Sequence, residues 1–227
     1  MGEKMIVLEL CSGTKSISET FREQGHECFT VDNNPETEPD LCTDILTLDI
    51  SRLPLKFQHP DVVWASPPCT TLSVASISRY WKNGKPRNSA CLIGLALALR
   101  CREIIEETRP KYFFIENPRG LLRKQAFMLD LPRHTITYCQ YGERYQKPTD
   151  IWSNAPWIPR PACRPGDSCH APQPKGYRAK KDFLCLGSGV QGLSGAKERG
   201  RIPLELCREI VQVCERGQPE IQARLNI

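Results

Sequence analysis

The sequence predicts an α/β fold of the open, Rossmann-like kind: a mostly parallel sheet with helices on both faces. Three observations carry this. Short apolar runs alternate with amphipathic stretches over residues 1–155. The apolar runs end in clusters of Gly, Pro, Asp and Asn, the residues of tight turns. At 227 residues, 40% hydrophobic and 25% charged, the chain has the make-up of a globular protein with one sizeable core.

The elements follow in order. Met5–Cys11 reads as a strand ended by Ser12-Gly13, and Lys15–Glu23 as an amphipathic helix. Glu27–Val31 is a second strand, closed by Asp32-Asn33-Asn34-Pro35, and Asp61–Ala65 a third, stopped by Ser66-Pro67-Pro68. Ala90–Thr108 is a long helix, apolar on one face and ended by Arg109-Pro110. Lys111–Glu116 is a buried-type strand and His134–Gln140 a polar-alternating one. From Trp157 to Gly200 the pattern dissolves into Pro, Gly and basic residues, too long for an ordinary connection. Pro203–Arg216 returns to helix, with Leu204, Cys207, Ile210 and Val211 on one face. The expected organisation is a main domain at 1–155, a small irregular insert at 156–200, and a C-terminal helix within 201–227 that packs back on the main domain.

Composition narrows the setting. There is no apolar run of the roughly 18 residues that a membrane span needs. The start, MGEKMIVLELCSG, has neither a secretory signal nor the Ser or Thr of a myristoylation site. Of the 12 cysteines, Cys11, Cys28, Cys91, Cys101, Cys139 and Cys207 sit inside apolar runs, where a thiol acts as a small hydrophobe. A reducing cytoplasm is expected rather than a disulfide scaffold. The net charge of +5 is unevenly spread: Arg160, Arg164, Lys175, Arg178, Lys180, Lys181, Lys197, Arg199 and Arg201 cluster late in the chain. That suits phosphate contacts, or simply a soluble lysine-rich surface.

Three strand ends carry chemistry. After the first, Gly13 lets a ligand approach the backbone, and Asp32 at the next strand end can accept hydrogen bonds from ribose hydroxyls. After the third, two prolines hold Cys69 on a rigid loop, as a nucleophile requires; a buried structural cysteine is the alternative. In KYFFIENPRG, Glu116 and Asn117 emerge from an apolar strand expected beside that of Cys69. Such a carboxyl can grip a base edge, or else cap a helix or pair with Arg119.

Taken in order, these motifs resemble the cytosine-5 DNA methyltransferase family over roughly residues 5–155, with a shorter echo near 190–212. LELCSG looks like its first cofactor motif, with Glu9 in place of the usual Asp. VDNNP looks like the ribose-binding motif, Thr43-Asp44-Ile45 like the adenine reader, Ser66-Pro67-Pro68-Cys69 like the nucleophile loop, and Glu116-Asn117-Pro118 like Glu-Asn-Val. The resemblance implies S-adenosylmethionine as donor, held by Glu9, Leu10, Cys11, Ser12, Gly13, Thr14, Asp32, Asn33, Asp44, Ile45, Ser66, Pro67 and Arg201. It implies DNA as partner, with a flipped cytosine met by Pro68, Ser73, Asn117 and Gln146. Cys69 would add to carbon 6 and Glu116 would hold the ring, with no metal required.

The sequence departs from the family in three places. The Gln-x-Arg-x-Arg motif that grips the base is represented by Gln146, Lys147, Thr149 and Asp150, leaving Arg144 or Lys147 as stand-ins. The target-recognition region shrinks to about 155–200, so specificity is expected to be low and to draw partly on the Tyr80–Asn88 loop. In RGRIPLELCREI, Ile202-Pro203 fits the last motif, while Arg201 is unexpected beside a cofactor. It can bind the methionine carboxylate, a DNA phosphate, or a donor carrying an acidic group, or be a plain surface charge. Cys163, Cys169 and His170, with Cys185, can form a small zinc site or be unrelated side chains. RNA cytosine methylation and a catalytically weak nucleic-acid binder stay open beside DNA methylation. The compact size suits a phage or restriction-modification setting, as monomer or weak dimer.

Overall fold

A computed structural model describes residues 3–164, 167–170, 193 and 195–217. In chain order its strands and helices are β1 (Ile6–Leu10), α1 (Ser16–Glu23), β2 (Glu27–Asp32), β3 (Leu41–Cys42), β4 (Val62–Ala65), α2 (Ile77–Tyr80), β5 (Trp81–Lys82), β6 (Lys85–Pro86), α3 (Ser89–Thr108), β7 (Tyr112–Pro118), β8 (Arg133–Thr137), β9 (Pro148–Ser153), α4 (Ala196–Gly200) and α5 (Leu204–Arg216). Short 3-10 turns fill several connections.

Seven strands form one sheet in the order β3-β2-β1-β4-β7-β9-β8. The first five are parallel; β9 runs antiparallel between β7 and β8. This is a doubly wound, Rossmann-like arrangement, with the order reversing at β1 and β4. Loops leaving the carboxyl ends of β1, β2, β4 and β7 therefore gather at one edge, where all the site motifs lie.

Strand parity sorts the core into two layers. Leu8, Leu10, Val63, Ala65 and Ile115 face α3 and the 3-10 turns that bury Ile45, Leu48 and Phe57. Val7, Val62, Trp64 and Phe114 face the other way, onto Ile17 and Phe21 of α1 and Leu206, Ile210 and Val211 of α5. Each such fully buried aliphatic contributes about 1.5–3 kcal/mol, so α5 is held by its apolar stripe. His26 adds a polar tie: its Nδ1 accepts from the Met5 amide, and its Nε2 lies 3.2 Å from Glu215.

The structure differs from expectation in several elements. The strand expected at His134–Gln140 stops at Thr137 and becomes a 3-10 turn, Tyr138–Tyr141. Strand β9 has no counterpart in the sequence pattern. Helix α3 is not apolar on one face only, since Leu92 and Ile93 are more than half exposed. Within the expected recognition loop, Asn83 and Gly84, both at positive φ, turn a small β5-β6 hairpin. In the insert, Trp157 is buried and Arg160 pairs with Glu205 and Glu209 of α5 while lying over the Tyr141 ring. Arg160 thus fastens the insert rather than offering itself to phosphate. Lys175, Arg178, Lys180 and Lys181 lie outside the described residues.

Candidate active site

The loop after β1 turns sharply, with Cys11, Gly13 and Lys15 all at positive φ. Asp32 at the end of β2 accepts from the Gly13 amide at 2.9 Å and the Asn34 amide at 2.8 Å, joining the first two motifs. Asp44 accepts from the Leu46 amide at 2.9 Å and caps a 3-10 turn. A carboxylate has about four acceptor positions, so both retain capacity for a ligand. Between these loops lies a cleft of about 170 Å³ lined by Asp32, Asn33, Asp44, Ser66 and apolar Val31, Ile45 and Leu97, among others. Ser12 Oγ is buried with no partner among the described residues. Carboxylates for hydroxyl and amine donors and apolar walls for a flat ring fit the adenosine part of S-adenosylmethionine, while Ser12, on the loop beside Cys11, is not among the residues lining the cleft.

On the other side of Ser66 the chain enters the Pro67-Pro68-Cys69 loop. Trp64 Nε1 donates to Ser66 Oγ at 2.8 Å, and the Cys69 carbonyl accepts from the Leu72 and Ser73 amides at 3.0 Å each. Asn117 is fully buried and donates from Nδ2 to the Pro67 carbonyl at 2.8 Å, pinning this loop to β7. Gly120 completes the clasp: a Cβ there would lie 2.0 Å from the Leu72 carbonyl oxygen. The Cys69 loop and the loop after β7 are thus packed backbone to backbone, which only glycine allows.

Cys69 is half-buried. Burial first, then the charge of Glu116, holds its thiol above the ordinary value, with Lys147 and Arg199 opposing. Glu116 is buried at 6% exposure and accepts from the Tyr138 hydroxyl at 3.0 Å. Burial raises its carboxyl, against Lys147 and the Tyr138 hydrogen bond. Lys147 is itself buried, with Nζ donating to the Arg199 carbonyl at 2.8 Å and lying 4.3 Å from the Tyr138 ring centre. A thiol, a carboxyl biased toward its neutral form and a buried cation therefore lie within electrostatic reach of one another at the sheet edge.

Several expected roles move. Glu9 does not line this cleft: it is buried behind the loop and accepts from the Ser18 amide at 2.9 Å, capping α1 from the sheet. Leu10 belongs to the core. Pro68, not Pro67, lines the cleft with Cys11. Thr14 and Arg201 line a different, roughly 700 Å³ cleft along α1, so Arg201 is not brought to Asp32. Glu116 binds the Tyr138 hydroxyl and neither caps a helix nor pairs with Arg119. Asn117 Nδ2 positions the loop while its Oδ1 is buried with no partner among the described residues, and Ser73 is engaged in a bridge to Gly120 and a hydrogen bond with Ser76. Of the two stand-in cations, Lys147 reaches the site, while Arg144 sits on the preceding turn. Gln146 turns toward Cys163. Asp150, where the family motif has arginine, is fully buried and held by a guanidinium fork from Arg123, a residue that the sequence alone does not single out.

Residues 5–130 match the family model of the C-5 cytosine-specific DNA methylase. The chain is 30% identical over 219 residues to the "Probable DNA (cytosine-5)-methyltransferase" of Frog virus 3 (isolate Goorha), covering 92% of this chain and all of that protein. Among solved structures, the S. pombe Dnmt2 methyltransferase superposes with a TM-score of 0.46 at 15% identity, over 66% of this chain and 49% of that one. The family model spans more than half of the chain and the viral relative nearly all of it, so the chain belongs to the C-5 cytosine-specific DNA methylase family and is an enzyme of that activity.

Proposed function

We propose that the chain methylates carbon 5 of a cytosine flipped out of DNA, through a covalent adduct on Cys69. The observation that carries this is the electrostatic convergence of Glu116 and Lys147 on Cys69, whose loop is pinned by Asn117. Asp32, Asp44 and Ser12 would hold S-adenosylmethionine, which supplies an electrophilic methyl group when bound. The main domain at 1–155 carries this chemistry, the insert contributes DNA contacts, and the C-terminal helix closes the core.

Cytosine carbon 5 is too poor a nucleophile to react unaided. Cys69 loses its proton to water and its sulfur bonds to carbon 6, and the electrons of the 5,6 double bond become available at carbon 5. Glu116 in its neutral form donates to ring nitrogen 3, which takes up the charge displaced by the sulfur. Lys147 offsets the thiolate charge in a pocket whose burial otherwise opposes it. After carbon 5 has gained the methyl group, it gives its proton to water, the carbon–sulfur bond breaks to release the Cys69 thiolate, and ring nitrogen 3 returns its proton to Glu116. Base flipping is required because neither face of a stacked cytosine can reach Cys69.

Nucleoside mass spectrometry of DNA from cells expressing the chain should show 5-methylcytosine. Cys69→Ser should reduce it to background; a folded wild-type chain that leaves DNA unmodified would overturn the proposal. Parallel assays on RNA separate the RNA reading, which predicts the reverse preference.

A further inference from the structure

We propose that Cys139, Cys163, Cys169 and His170 bind one structural zinc ion. Cys139 sits on the 3-10 turn after β8, while the other three come from the segment after β9, which carries no helix or strand between residues 156 and 164. Their ligand atoms all lie within 4.8 Å of one another. Cys163 Sγ is 3.3 Å from Cys139 Sγ and 3.7 Å from His170 Nδ1; Cys169 Sγ is 3.6 Å from Cys139 Sγ and 3.4 Å from His170 Nδ1. Zinc–sulfur bonds of about 2.3 Å and zinc–nitrogen bonds of about 2.0–2.1 Å make a tetrahedron with edges of roughly 3.5–3.8 Å. The four observed separations are close to those edges, around a centre that the four side chains share.

The surroundings suit a thiolate site. Gln146 Nε2 donates to Cys163 Sγ at 3.1 Å, the kind of outer hydrogen bond that orients a ligand and offsets its charge. The Cys163 amide donates to Thr137 Oγ1 at 2.9 Å, fixing the loop to the end of β8. Three thiols with an imidazole are one thiol more than a disulfide uses, and the mixed set is typical of structural zinc. The sequence points to Cys163, Cys169 and His170 but pairs them with Cys185, which lies outside the described residues. Cys139 reads locally as a core hydrophobe. It is 24 residues upstream of Cys163, on a different element, where local spacing gives no sign that it is a ligand.

The role follows from position. Cys139 adjoins Tyr138, which binds Glu116, and Gln146 adjoins Lys147. Zinc would therefore fasten the insert onto the turns that shape the base pocket, without touching the reacting atoms. The test is metal analysis of the full chain purified under reducing conditions with zinc in the medium. About one zinc per chain is expected, and cobalt substitution should give the intense visible bands of tetrahedral thiolate coordination. Cys163→Ser and Cys169→Ser should each lose most of the metal, while Cys42→Ser, at an exposed cysteine outside the cluster, keeps it. A folded wild-type chain that holds no zinc and takes up no cobalt with its thiols reduced would overturn the inference. So would full metal retention in a folded Cys163→Ser/Cys169→Ser double variant. Because the readout is metal content, its failure leaves the proposed methyl transfer standing.

Discussion

At the scale of single residues, Glu9 shows how a motif position and a physical role can differ. The motif resemblance places it at the cofactor, but strand parity gives it the face of Val7, which α1 covers, while Leu8 and Leu10 take the opposite face. Its side chain is consequently buried, and burial pushes its carboxyl up to about 7 against the Ser18 hydrogen bonds. An unfolded glutamate titrates near about 4.3. The folded state thus holds the proton more tightly, and the contribution of Glu9 to stability is full below pH ~4.5 and is lost as pH rises through ~7. The shift corresponds to about 3 kcal/mol across that window. Glu9→Gln keeps the acceptor for Ser18 and cannot ionise, so its urea-denaturation stability, plotted against pH, should lack this decline. Parallel curves for wild type and variant would show that Glu9 does not carry the buried proton.

At the scale of elements, the parallel strands are legible because each is a short apolar run ended by turn residues. Strand β9 is not. It begins with Pro148 and carries the polar residues Thr149 and Asp150 into full burial. Its polar centre is tolerated because Arg123 and Thr135, from the turn after β7 and from β8, satisfy the Asp150 carboxylate. Neither partner is adjacent in sequence, so no local pattern could announce the strand. The Asn83-Gly84 hairpin, by contrast, carries a strong local signal inside the Tyr80–Asn88 segment, where a plain loop is expected. Removing the guanidinium in Arg123→Ala leaves a buried carboxylate without its charge partner, at a cost of about 3 kcal/mol or more. Asp150→Asn added to that variant should recover part of the loss. Chemical denaturation of the two variants checks both statements; a cost below about 1 kcal/mol would mean that Thr135 and the strand suffice.

At the scale of the whole molecule, the sheet topology brings the Asp32–Asp44 cleft, proposed to take adenosine, and the Cys69 loop to one edge, and that much follows from strand order alone. The DNA-facing surface depends on what is attached to that edge. The β5-β6 hairpin follows the Cys69 loop after α2 and is tied to it, with Trp81 Nε1 donating to the Thr71 carbonyl at 2.6 Å and the Cys91 thiol donating to the Tyr80 carbonyl. Lys82 and Lys85 project from it, both exposed, while the late basic residue Arg160 is tied down by Glu205 and Glu209. Phosphate neutralisation near the target base should therefore fall to the hairpin rather than to Arg160. Each DNA phosphate left without its lysine should shrink the slope of log K against log salt by about 0.9. Lys82→Ala/Lys85→Ala should reduce the slope by nearly two such units, measured by fluorescence anisotropy with a labelled duplex. Binding of S-adenosylhomocysteine should be unchanged, since neither lysine lines the adenosine cleft. An unaltered salt slope would move the DNA-facing surface away from the hairpin.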